Sequence, residues 1–97
     1  MLIAIDIGGT KTRIGRADDA DALAAVDIFH TFYTYREGLD ALVDAVKRIA
    51  GGKPRGAAVG APGVISRHKR RIVNAPNLPD WNGAALADEL ERRWARP

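Results

Sequence analysis

The chain has 97 residues, 46% of them hydrophobic and 28% charged, with a formal net charge of +3 and no cysteine. This is the composition of one small folded domain, able to bury about 60–65% of its unfolded surface, and not of a disordered or fibrous chain. The missing cysteines exclude a disulfide scaffold, a thiolate nucleophile and a thiolate zinc site within these residues and fit a reducing cytoplasm, while so slight a basic excess welcomes anions without arguing for nucleic acid.

Leu2–Ile7 reads Leu-Ile-Ala-Ile-Asp-Ile, an apolar run with one carboxylate, Asp6, near its end. It suits a central strand buried on both faces. Asp6 interrupts it too soon for a signal peptide or a membrane span, so a soluble, untargeted chain is expected. Gly8 and Gly9 follow at once, and paired glycines between strand-like runs favour a tight hairpin because glycine reaches positive φ at no steric cost. Such a turn gathers backbone N–H groups into an anion-binding nest. Thr10 adds a hydroxyl and Lys11 a positive charge, so Asp6, Gly8, Gly9, Thr10 and Lys11 have the chemistry of a phosphate clamp, with Asp6 placed to organise Mg²⁺ through water. The same residues also make a plain Gly-Gly hairpin in which Asp6 accepts turn N–H bonds. Neither the P-loop spacing nor the dinucleotide Gly-x-Gly-x-x-Gly spacing is present, and Thr12–Ala17 alternates as a second strand, so the site belongs to a β-hairpin.

Ala17–Ala22 is a short acidic turn, and Leu23–Tyr35 carries the β-branched and aromatic residues of a third strand. His30 on that strand has no partner motif nearby and reads as structural or exposed. Glu37–Ala50 places Leu39, Leu42, Val43, Val46 and Ile49 at helical spacing, closed by Gly51, Gly52 and Pro54. Gly56–Ala61 is a buried strand of small residues. A helix leading into a strand predicts a right-handed crossover, a fourth strand parallel to the first and a sheet order of 3-2-1-4. That order brings the Gly8-Gly9 turn and the Ala61-Pro62-Gly63 turn to one cleft. The second turn also reads as an ordinary Pro-Gly reversal.

Val64–Val73 is a second hairpin tipped by Arg67-His68-Lys69-Arg70-Arg71, a solvated loop or else a polyphosphate or nucleic-acid contact. Asn74–Asn82 is irregular and rich in amides, which suit sugar hydroxyls because each both donates and accepts. It also reads as a structural loop braced by Asn side chains with Trp81 packed beneath. Asn82 is expected to cap a helix over Ala84–Trp94, on which Leu86, Leu90 and Trp94 recur every four residues.

Asp6-Ile7-Gly8-Gly9-Thr10-Lys11 resembles the first phosphate motif of the actin, Hsp70 and sugar-kinase superfamily. More narrowly it resembles the ROK family of repressors, open reading frames and kinases, which includes bacterial glucokinases. Gly60-Ala61-Pro62-Gly63-Val64 is similar to that family's sugar-side glycine loop, and Asn74-Ala75-Pro76-Asn77-Leu78-Pro79 with Trp81 to its next signature. The three motifs stand in the family's order across nearly the whole chain.

The resemblance implies an α/β fold: one ribonuclease H-like, actin-type ATPase lobe, with a mixed sheet of a three-stranded antiparallel meander plus a parallel strand and two main helices. It implies a cytoplasmic, ATP-dependent hexose kinase with ATP and Mg²⁺ as cofactors, in which Asp6 orients hydrated Mg²⁺, Gly8, Gly9, Thr10 and Lys11 hold phosphate, and Gly63 and Asn77 face the sugar. The Arg67–Arg71 turn departs from the family, which tends to carry an acidic residue and a glycine there. The family's catalytic aspartate lies in an Asp-Asn-Asp-like motif on a strand after the second helix, whereas this sequence stops at Arg96-Pro97. The second phosphate motif, the adenosine site and the zinc cluster of many members are missing with it.

The expectation is therefore an N-terminal lobe, inactive alone, whose partners are a sugar, a nucleotide and a C-terminal lobe. An uncovered sheet edge also allows a homodimer. A sugar-responsive repressor of the family would carry a DNA-binding module ahead of the glycine motif, which here starts at residue 2, so that alternative is a remnant of such a regulator; neither nucleic acid nor membrane is expected as a partner.

Overall fold

The structure, a computed structural model, describes residues 1–19, 22–51, 54–60, 64–66 and 71–95. Three strands, β1 (Leu2–Ile7), β2 (Lys11–Asp19) and β3 (Ala22–His30), form the antiparallel meander. The chain then crosses through helix α1 (Tyr35–Ala50) and returns as β4 (Gly56–Gly60), parallel to β1, giving the order β3-β2-β1-β4. A separate hairpin, β5 (Val64–Ser66) with β6 (Arg71–Asn74), follows, then a single 3-10 turn at Pro79–Trp81 and helix α2 (Leu86–Ala95). None of the described helices is long and apolar enough to cross a membrane.

The core follows from alternation in the strands meeting a helical stripe. Ile3, Ile5 and Ile7 of β1 and Ile14 of β2 bury their side chains with Leu39, Leu42, Val43 and Val46 of α1. The core continues through Ile72, Leu78 and Trp81 to Leu86 and Leu90 of α2. β1 is central in the sheet but is not buried on both faces: Ala4 and Asp6 are exposed, and Leu2 is 51% exposed. The helices pack on one side only, and no described element covers the other.

Several element boundaries differ from the sequence reading, among them the acidic stretch 17–19, which belongs to β2 and not to a turn. The third strand ends at His30, and Tyr35 opens α1. Thr34 is extended at the N-cap, its hydroxyl donates to Glu37 Oε1 at 2.6 Å, and the Tyr35 amide donates to Asp80 Oδ2 at 2.8 Å. A carboxylate from a distant loop thus satisfies one of the helix's orphan donors, which local pattern does not reveal. Asn82, in turn, does not cap α2. Its Oδ1 accepts the Ala75 amide at 2.8 Å, Gly83 turns at φ 83°, and the helix begins at Leu86.

At the other end of α1, Gly51 adopts φ 67° as the left-handed stop, and the Arg16 guanidinium donates to the Ile49 carbonyl at 3.1 Å. Both features satisfy the negative end of the helix.

Candidate functional site

The turn between β1 and β2 is three residues long, Gly8, Gly9 and Thr10. Neither glycine has positive φ, so freedom in the left-handed region is not why they are needed. Space is the reason at Gly8, where a Cβ would lie 3.1 Å from the Lys11 carbonyl; a Cβ on Gly9 would make ordinary contact with Asn77, 3.6 Å from its Nδ2, and fill the gap between them.

Within the turn the Gly8 amide donates to the Lys11 carbonyl at 2.9 Å, and the Thr10 carbonyl accepts from the Thr31 amide at 2.9 Å. The Thr31 hydroxyl donates to the Gly8 carbonyl at 2.8 Å. The Gly9 and Thr10 amides have no hydrogen-bond partner among the described residues. The turn therefore keeps two adjacent N–H donors free at an exposed edge, beside the Thr10 hydroxyl and the exposed Lys11. His30, the cross-strand partner of Lys11, is exposed.

Asn77 reaches this turn because its loop is anchored elsewhere. Trp81 is 1% exposed, packs edge-on against Tyr35 with ring centroids 5.3 Å apart, and donates from Nε1 to the Phe32 carbonyl at 3.2 Å. With the Asp80 cap on α1, these contacts fix the loop at both of its faces, while Asn77 itself stays exposed at the Gly9 edge. Tyr35 carries the brace on to α2 by donating from its hydroxyl to Glu89 Oε1 at 2.8 Å. Burial, together with that hydrogen bond and the Glu89 charge, pushes the Tyr35 phenol well above its ordinary value.

Asp6 sits on the open face of the sheet, level with Gly60 of β4 and Arg13 of β2. A Cβ at Gly60 would come within 3.3 Å of Asp6 Oδ1, so the glycine leaves room around the carboxylate. A groove of about 500 Å³ runs beneath it, floored by Ala4, Gly15, Val26 and Ala58. No cluster of three or more His, Cys, Asp or Glu gathers among the described residues.

Gly63 and the Ala61-Pro62-Gly63 turn lie outside the described residues, as do 67–70 of the basic loop; Arg71 is in β6 and donates to the Gly83 carbonyl at 2.7 Å. The sequence reading missed Thr31, Thr12 and Asp80. A lone Thr after a strand and an Asp between Pro and Trp have no local pattern to mark them; only the fold carries each to a partner 19 or more residues away.

The ROK family matches over residues 2–97. A glucokinase of Streptomyces coelicolor is 30% identical over 98 residues, covering all of this chain and 31% of the relative. Two solved structures share the fold. A ROK family glucokinase from Streptomyces griseus, in complex with glucose and AMPPNP, superposes with a TM-score of 0.86 at 30% identity over 99% of this chain and 31% of its own. The ROK hexokinase from Thermus thermophilus gives 0.84 at 26% identity, with coverages of 99% and 33%. The chain thus spans about a third of the length of these relatives.

Proposed function

The chain belongs to the ROK family, and from that premise we propose that it is the N-terminal lobe of an ATP-dependent hexose kinase, glucokinase-like, that transfers the γ-phosphoryl group to a sugar hydroxyl. The observation that carries this reading is the apposition of Gly9 to Asn77. The turn with free amides and the loop with the exposed amide side chain of Asn77 belong to different motifs, yet they meet at one exposed edge, where phosphoryl donor and acceptor must also meet. In this reading the amides of Gly9 and Thr10, with the Thr10 hydroxyl and Lys11, hold phosphate oxygens. Gly8 shapes the turn, its own amide being spent on Lys11. Asn77 and Gly63 address the sugar.

An exposed carboxylate with a glycine opposite it, outside any cluster of three or more metal-binding side chains among the described residues, fits a hydrated Mg²⁺ held through water better than direct chelation. Asp6 would orient that hydration shell, and Mg²⁺ would supply charge neutralisation on the phosphoryl oxygens. Asp6 is not assigned as the base: the family's base lies in a motif that these residues do not carry, and the purified chain alone is expected not to turn over.

The test is amide chemical-shift titration of the labelled chain with magnesium AMPPNP and with glucose, alongside a coupled assay for ADP release. The expected result is shifts centred on Gly9 and Thr10 for the nucleotide and on Asn77 for glucose, without turnover. Shifts that avoid both segments would remove the reading.

Self-association of the lobe is favoured by a separate observation. Leu2, Val26 and Ile28 are 51%, 55% and 55% exposed, and Leu2 and Val26 flank the small residues of the open sheet face. Light-scattering mass across a concentration series decides it, a constant monomer mass arguing against.

A further inference from the structure

We propose that Thr31 is a positioning residue of the phosphate turn, its hydroxyl aiming the Gly9 amide at the incoming phosphate. The inference rests on the phosphate reading above and adds a residue that none of the three motifs contains.

The Thr31 hydroxyl lies 2.8 Å from the Gly8 carbonyl, which can only accept, so the Thr31 proton is committed there. Thr12 Oγ1 is also 2.8 Å from Thr31 Oγ1, so Thr12 must be the donor in that pair. A directed chain results, from the Thr12 hydroxyl to Thr31 to the Gly8 carbonyl. Thr12 is 2% exposed, so its end of the chain is fixed in the core and shielded from water.

The C=O of Gly8 and the N–H of Gly9 belong to one planar trans peptide and point in opposite directions. Drawing the carbonyl toward Thr31 therefore drives the Gly9 N–H away from β3. The Thr31 amide also holds the Thr10 carbonyl, at 2.9 Å. Two of the three turn carbonyls, those of Gly8 and Thr10, are thus held back on Thr31, where their negative ends cannot oppose a phosphate, and the Gly9 donor faces outward. A bare Gly-Gly turn has the flexibility to rotate these planes; one hydroxyl just beyond the end of β3 removes it for the Gly8–Gly9 plane.

The experiment uses the full chain and its Thr31→Val and Thr31→Ser variants, titrated with magnesium AMPPNP and followed through the Gly9 and Thr10 amides. Valine keeps the shape and loses the hydroxyl, and an affinity loss of about tenfold is expected. Serine keeps the hydroxyl and should bind within about threefold of the unmodified chain. A purely structural threonine would instead lower stability in both variants and leave affinity alone.

No nucleotide-dependent shift in the unmodified chain overturns the phosphate reading and this inference with it. Normal binding by Thr31→Val, or equal losses in Val and Ser, overturns this inference and leaves the phosphate reading standing. If Thr31→Val does not fold, the Thr31 hydroxyl proton of the unmodified chain decides. The relay requires a slowly exchanging resonance close to the turn that slows further as AMPPNP is added, and exchange at the solvent rate overturns it.

Discussion

A Cβ placed on Gly38, in the first turns of α1, would run into the indole of Trp81, coming within 2.6 Å of Cη2. The helix and the amide-rich loop are therefore held at a separation that only glycine permits. Because the same loop carries Asp80 to the start of α1 and Asn77 to Gly9, this contact bears on where Asn77 stands relative to the Gly8-Gly9 turn.

Replacing Gly38 by alanine reverses the usual sign of that substitution. In an open helix it would stabilise by about 1 kcal/mol; here overpacking against a ring that is 1% exposed should cost about 1–3 kcal/mol. Urea unfolding should show a lower midpoint with an unchanged slope. Combined with Trp81→Phe, which removes the colliding carbons, the loss should be smaller than the sum of the single losses.

Asp80 acts as an N-cap supplied from outside the helix. Asp80→Ala leaves the Tyr35 amide without its 2.8 Å acceptor and should cost about 1 kcal/mol. Asp80→Asn keeps an acceptor oxygen and loses only the charge, so it should retain most of the stability and reduce its dependence on salt. Thermal melts at low and high ionic strength separate the two contributions.

Local pattern made the sheet legible. The Leu2–Ile7 run, the Gly8-Gly9 break and the Leu39–Ile49 stripe dictate strand, turn and crossover helix, and the handedness of the crossover then fixes the observed β3-β2-β1-β4 order. What alternation along β1 could not say is which face is covered, since apolar Ala4 and Leu2 read alike whether buried or open. The glycines of the turn were legible, but not for the right reason: neither has positive φ, the space at Gly8 is limited by the Lys11 carbonyl, and the gap beside Gly9 depends on Asn77, some seventy residues on. Thr31 and Asp80 were illegible for the same reason. Their partners are distant in sequence, and a hydroxyl or carboxylate on a loop looks solvated until the fold supplies its acceptor or donor.

The raised phenol of Tyr35 gives the lobe an alkaline limit. Burial is the leading cause, followed by the hydrogen bond to Glu89. The neutral phenol is favoured in the folded chain, so its contribution is fully present below the unfolded value of about 10 and is lost as pH rises through the folded value. Melting temperature should fall above about pH 10 in the unmodified chain. Tyr35→Phe should lower stability by about 1 kcal/mol at neutral pH, because it removes the hydrogen bond, and should flatten the part of the alkaline decline that belongs to this residue. An unchanged alkaline slope would show that another group sets it.

The two turn glycines should separate function from folding. A methyl on Gly9 meets only the Asn77 side chain, at 3.6 and 3.7 Å, which is ordinary contact, and no backbone strain opposes it because φ is not positive. Gly9→Ala should therefore fold with stability within about 0.5 kcal/mol of the unmodified chain. A methyl on Gly8 meets the Lys11 carbonyl at 3.1 Å, inside the hydrogen-bonded turn itself. Gly8→Ala should accordingly lower stability as well as binding. If the gap between Gly9 and Asn77 is where phosphoryl donor and acceptor approach, filling it weakens the AMPPNP-induced shifts and uncouples them from any response at Asn77. A plain hairpin gives the opposite pattern, in which Gly9→Ala is silent in both measurements and only Gly8→Ala matters. Chemical-shift titration and urea unfolding on the same two variants are sufficient to tell these patterns apart, because in the first case affinity falls without stability and in the second neither changes at Gly9.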